Sequence, residues 1–194
     1  MTDKQSESKA SVFIATSLDG YIARPDGGLD WLPDDCEPHG YEEFMATIDA
    51  IVIGRKTFEI VLGFGSWPYE KKMPVVVLSS NPAVLKAPKG AKCDFMTGAP
   101  RQIVDRLAQR GLNNLYIDGG LTIQGFLNAG LIQRLIITRI PVLLGGGIPL
   151  FGALKHDIRL EHVATRSFAS GLVQSEYVIS PGKRKSKPKP KPKA

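Results

Sequence analysis

At 194 residues, with 43% hydrophobic and 23% charged residues, the chain has the length and balance of one globular domain with a real core. The net charge of +6 suggests a nucleic-acid binder, but Lys183, Arg184, Lys185, Lys187, Lys189, Lys191 and Lys193 account for it, leaving residues 1–182 at about −1. Two isolated cysteines, Cys36 and Cys93, exclude a disulfide framework, and no apolar run reaches the roughly 18 residues of a membrane span.

A cytoplasmic setting without membrane contact is expected, since residues 1–9 are polar and carry no secretory signal core. Residues 1–10 read as a disordered leader, 11–180 as the domain and 181–194 as an extended Lys/Pro tail capable only of weak nucleic-acid contacts. Residues 11–16 form a first apolar strand, followed by a turn at Asp19-Gly20. Residues 24–40 are a long loop carrying Trp31, with the character of an active-site lid. A short helix is predicted over 41–48 and a buried strand over 50–54. A second helix opens at Arg55 and ends near Gly63. Residues 74–79 and 92–96 give two further strands, and 100–109 a helix with Pro in its first turn. The stretch 114–130 reads as strand, Asp118-Gly119-Gly120 turn and helix, with Ile123, Phe126 and Leu127 on one face. After a strand over 135–141 and a glycine-rich connection, 159–167 and 172–179 form a hairpin. Alternating strands and helices followed by a hairpin imply an α/β fold with a mostly parallel sheet and an antiparallel edge.

Nucleophile and metal constellations are missing: Gly-x-Ser-x-Gly does not occur, and His39, His156 and His162 are scattered. Three strand ends, however, are each followed by residues suited to phosphate. These are Gly54-Arg55-Lys56-Thr57, Leu78-Ser79-Ser80 and Asp118-Gly119-Gly120-Leu121-Thr122. Strands running into helices present free N–H groups and the positive dipole end to an anion. Open α/β sheets bind ligands at these ends, so three such sites suggest one ligand with several phosphates. Arg55 with Ser79 and Ser80 suits a ribose-linked phosphate, favouring NADPH over NADH.

With these residues in view, the chain resembles the dihydrofolate reductase superfamily, especially the reductase domain of bacterial riboflavin biosynthesis proteins. The likeness covers residues 11–180. It is carried by Ala15-Thr16-Ser17-Leu18-Asp19-Gly20-Tyr21-Ile22-Ala23, by Ile53-Gly54-Arg55-Lys56-Thr57-Phe58-Glu59, by Asp118-Gly119-Gly120-Leu121-Thr122, by Asn128-Ala129-Gly130-Leu131-Ile132 and by Pro141-Val142-Leu143-Leu144-Gly145. The resemblance implies a dihydrofolate reductase-like three-layer fold around about eight strands, NADPH as cofactor, hydride transfer to a small heterocycle or sugar imine, and a homodimer. By position, the backbone of Ala15 and Ile22 would hold the nicotinamide. Gly54, Arg55, Lys56 and Thr57 would take phosphates, and Leu78, Ser79 and Ser80 the adenosine end. The turn at Asp118 and the run Gly119, Gly120, Leu121, Thr122 and Ile123 would cradle the pyrophosphate. Trp31 matches a lid tryptophan and Thr138 a threonine of the substrate pocket, while Asp19, Asp118 or a water would supply the proton. The chain carries Gly65-Ser66-Trp67-Pro68 where the riboflavin enzymes have Asp-Pro, and Asp118 where they have Glu. Three activities remain open: a reductase of the riboflavin pathway or of a related compound, a dihydrofolate reductase, and a catalytically silent nucleotide-binding protein.

Overall fold

The computed structural model describes residues 8–33 and 37–179. Most of the expected leader, the Lys/Pro tail and Cys36 lie outside the described residues. The parallel part of the sheet is built from β1 (Lys9–Ser17), β3 (Ala50–Gly54), β4 (Val75–Leu78), β5 (Cys93–Met96), β6 (Asn114–Asp118) and β7 (Arg134–Ile140). The hairpin of β9 (Leu160–Ser167) and β10 (Val173–Ile179) adds two antiparallel strands, giving the eight-stranded order β5-β4-β3-β6-β1-β7-β10-β9. β1 starts at Lys9 rather than 11, because Lys9 and Ala10 pair with Asn114 and Leu115.

Alternation along the strands sorts the core into two layers. One face carries Ala10, Val12, Val52, Val76, Ile117 and Leu135 against α3 (Pro100–Ala108) and α4 (Gly120–Asn128), which contribute Ile103, Leu107, Ile123 and Phe126. The opposite face carries Phe13, Ile51, Ile53, Val77 and Tyr116 against Phe44 of α1 (Tyr41–Met45) and Phe58 of α2 (Arg55–Leu62). Strands buried on both faces explain the near-continuous apolar runs. The result is the expected helix–sheet–helix layering. α1 ends at Met45, sooner than 48, because Thr47 turns back on Phe44: its N–H and its hydroxyl both donate to the Phe44 carbonyl, at 3.0 and 2.7 Å.

A two-stranded ribbon of β2 (Tyr21–Ala23) and β8 (Ile148–Pro149) was not foreseen. Strands of three and two residues are too short to leave a periodic signal.

Candidate cofactor and active site

The parallel strands direct their carboxyl ends to one edge, and β4, β3 and β6 end there side by side, with Gly54 opposite Leu78 and Ile53 opposite Asp118. Of the helices that follow, α3 closes its own start with Pro100 and with Gln102, whose Oε1 accepts the Ala99 N–H at 3.1 Å. α2 and α4 have no side-chain cap. Their first three N–H groups, from Arg55, Lys56 and Thr57 and from Gly120, Leu121 and Thr122, cannot be met within the helix. The two starts also interlock. A Cβ on Gly54 would lie 2.8 Å from Thr122 Oγ1, and one on Gly119 would collide with Thr57 Oγ1. Gly119 has φ of +88°, which other residues rarely adopt. Two open N-termini and two hydroxyls thus meet at neighbouring strand ends, a donor set that fits a pyrophosphate, while the half-exposed Arg55 guanidinium lies 3.6 Å from Glu59 one turn along α2.

Next to this crevice the sheet opens. β1 pairs with β6 only from Lys9 to Ser11, whereas its pairing with β7 runs from Ser11 to Ser17. Beyond Ser11 the β6 side of β1 has no strand partner among the described residues, and Ala15 lies on this stretch. Tyr116 spans the start of the gap, its hydroxyl donating to the Phe13 carbonyl at 2.8 Å. On the α1 side of β1 is an apolar cavity of about 310 Å³ whose wall includes Ala15, Leu32, Tyr41, Thr138, Ile140 and Leu172. Thr138 is its buried polar group, and Gln174 Nε2 donates to both Thr138 Oγ1 and the His39 carbonyl at 3.0 Å. A second cavity of about 380 Å³ shares Phe13 and His39 and is lined by Glu43 and by the Arg134–Glu176 ion pair, at 2.7 Å.

Asp118 ends β6 on the face of Ile53 and Tyr116. Its Oδ1 accepts the Gly119 N–H at 2.8 Å. Burial pushes this carboxyl above its usual range, and the Gly119 bond only partly opposes the effect. Burial, and then the Asp118 charge, also raise Tyr41, Tyr69 and Tyr116, so these phenols stay neutral donors. Trp67 packs edge-on to Tyr69 at 5.2 Å, and its buried Nε1 has no hydrogen-bond partner among the described residues.

The structure therefore brings Gly54, Arg55, Lys56, Thr57, Gly119, Gly120, Leu121 and Thr122 together, with Leu78, Ser79 and Ser80 at the adjoining strand end. Ile123 departs from expectation: its side chain is in the core and its N–H donates to the Gly119 carbonyl at 2.9 Å, so nothing is left for a phosphate. Asp19 does not suit proton donation. Its oxygens accept from Ser17 Oγ and from the Leu144 and Gly145 N–H groups, bonds that hold it below the usual carboxylate range. Trp31 is off the cavity wall, where Leu32 and Pro33 stand instead, and its indole N–H is buried without a partner among the described residues. The loop that carries it rests on α2, where a Cβ on Gly27 would be 3.0 Å from Ile60 Cδ1. His39, Tyr41, Tyr69 and Gln174 were missed in the sequence. His39 and Tyr41 are two residues apart, but Tyr69 and Gln174 come from separate segments, and no local spacing links these to the pair.

Comparison with known proteins adds four findings. The family model of the RibD C-terminal domain matches residues 9–174. Uncharacterized protein YwjB of Bacillus subtilis is 36% identical over 177 residues, 89% of this chain and 98% of that protein. The crystal structure of a protein provisionally described as a riboflavin biosynthesis protein, from Shewanella sp. PV-4, superposes with a TM-score of 0.80 at 40% identity, over 89% of this chain and 99% of that one. Dihydrofolate reductase of Enterococcus faecalis, solved with NADP(H), shares the fold at a TM-score of 0.62 and 21% identity, over 88% of this chain and 96% of that one.

Proposed function

The chain belongs to the RibD C-terminal domain family, and on that premise we propose that it is an NADPH-dependent reductase. Its substrate would be a pyrimidine ribosylamine of the riboflavin pathway or a close relative, as in a 5-amino-6-(5-phosphoribosylamino)uracil reductase. The observation that carries the cofactor half is the pair of uncapped helix starts on neighbouring strands, opening beside the gap between β6 and β1. The N–H groups of α2 and α4 with Thr57 and Thr122 would hold the pyrophosphate. Arg55, Ser79 and Ser80 would take the 2′-phosphate, and the backbone of Ala15 and Ile22 the nicotinamide carboxamide. When bound, the cofactor supplies a hydride.

The remaining work falls to the chain's own groups. Thr138, tied to Gln174, would orient the acceptor in the cavity, and its apolar walls would exclude water and hold the acceptor close to the nicotinamide. Asp118, whose carboxyl burial shifts upward from the usual range, would deliver the proton. A folate substrate is disfavoured because Glu42 and Glu43 of α1 are exposed, and Glu43 lines the second cavity rather than the one with Thr138. The family-based homodimer belongs to the same proposal, and sedimentation of the purified chain tests it.

NADPH titration followed by a turnover assay, with pyrimidine ribosylamine and dihydrofolate in parallel, tests the reading. NADPH oxidation is expected with the pyrimidine and none with the folate. NADPH binding without turnover on any acceptor would instead indicate a silent nucleotide binder. Arg55→Ala should weaken NADPH by about tenfold or more and leave NADH nearly unchanged; equal losses would remove the 2′-phosphate assignment.

A further inference from the structure

We propose that Asp19 is a positioning residue, a latch that fixes the glycine-rich segment 144–147 and, through it, the β2–β8 ribbon over the start of α4. The inference rests on the NADPH reading above. Asp19 is exposed, on the turn between β1 and β2, where water could satisfy it. Instead its carboxylate gathers protein donors: Oδ1 accepts from Ser17 Oγ at 2.6 Å and from Leu144 N at 3.2 Å, and Oδ2 accepts from Gly145 N at 2.8 Å. Bonds from N–H groups to a carboxylate are charge-assisted. Ser17 Oγ also accepts from Tyr21 N at 2.9 Å, so one chain of bonds joins the end of β1, the start of β2 and a segment more than a hundred residues away.

The latched segment leads directly to the cofactor crevice. Gly147 lies so close to β2 that a Cβ there would overlap the Ala23 carbonyl and sit 3.2 Å from the Tyr21 side chain. The next residues form β8 and pair with β2. Ile22 of β2 and Ile148 and Pro149 of β8 then crowd Gly120, the first residue of α4; a Cβ on Gly120 would be 3.1 Å from Ile22 Cδ1 and 3.2 Å from the Pro149 carbonyl. The ribbon thus joins Ile22, on the nicotinamide side, to the N–H cradle of α4, and Asp19 pins its free end. Two backbone bonds, Leu18 N to Val142 O at 2.8 Å and Leu150 N to Gly20 O at 3.0 Å, would survive loss of the carboxylate. Removing Asp19 should therefore loosen the roof of the crevice without unfolding the ribbon.

The test compares the full chain with Asp19→Ala and Asp19→Asn, measuring NADPH affinity, KM for NADPH against kcat, melting temperature, and amide exchange at Leu144 and Gly145. Asp19→Ala should weaken NADPH about tenfold, with KM rising more than kcat falls, and should speed exchange at both amides. Asp19→Asn keeps an oxygen for Ser17 and Leu144 but sets an amide against Gly145 N–H, and should fall between; if Asp19→Ala does not fold, this variant decides. Unchanged NADPH affinity and KM in the variants, beside a wild type that binds NADPH, would overturn the latch and spare the reductase. A shift in melting temperature alone would mean mere scaffolding and also overturn it. Wild-type protein with both amides protected but no NADPH binding would instead remove the reductase reading, and the positioning role with it.

Discussion

Among the described residues the Asp118 carboxyl accepts a single hydrogen bond, from Gly119 N–H, and stands among phenols raised by burial. A carboxyl raised by burial in the folded state binds its proton more tightly there than in the unfolded chain. Stability is therefore lost as pH rises from the ordinary 3.8 through the folded-state value, and is not recovered above it. Asp118→Asn keeps the acceptor for Gly119 but has no charge to bury. It should raise the melting temperature near neutral pH, leave it nearly unchanged below pH 4 or so, and lower turnover by about a hundredfold or more as expected for loss of a general acid. Melting curves across pH, with turnover assayed alongside, check both parts. The sequence showed Asp118 as the opening of a glycine turn. It could not show the phenols of Tyr41 and Tyr69 nearby, because they reach the site from other segments. Asp19 was misread for the same reason: its partners Leu144 and Gly145 lie in a distant loop.

Glycine placement governs how α2 and α4 approach one another. Gly119→Ala would force a side chain into a left-handed backbone, at about 1–2 kcal/mol, and onto Thr57 Oγ1. The variant should melt lower and bind NADPH more weakly. Adding Thr57→Ala should recover only part of the melting temperature, since the backbone strain remains; full recovery would show that the collision was the whole effect. At this scale the sequence was informative where burial is two-sided. The runs in β3, β4, β6 and β7 were legible because both faces of each strand are covered. The β2–β8 ribbon was not, being held by Asp19 and by close backbone approach at Gly147 rather than by an apolar repeat.

Across the whole molecule, the three layers separate stability from chemistry. The Ile103, Leu107, Ile123 and Phe126 layer lies behind the sheet, while the cavity beside Thr138, proposed to take the acceptor, lies on the α1 face. NADPH at about one hundred times its dissociation constant should add about 2.7 kcal/mol to unfolding, visible as a higher melting temperature. Removing residues 183–194 should leave NADPH affinity unchanged in the same titration, because the crevice and its roof are built within 15–150. The proposed grip on the nucleotide would be made chiefly of main-chain groups, which a change of side chain does not erase, whereas the cavity beside Thr138 is made of side chains from several segments. Descendants of this scaffold are therefore free to exchange one reducible compound for another by altering Tyr41, Thr138 or Leu172 while keeping the same electron source. Kinship in the cofactor half of the fold can thus persist long after agreement about the substrate has gone.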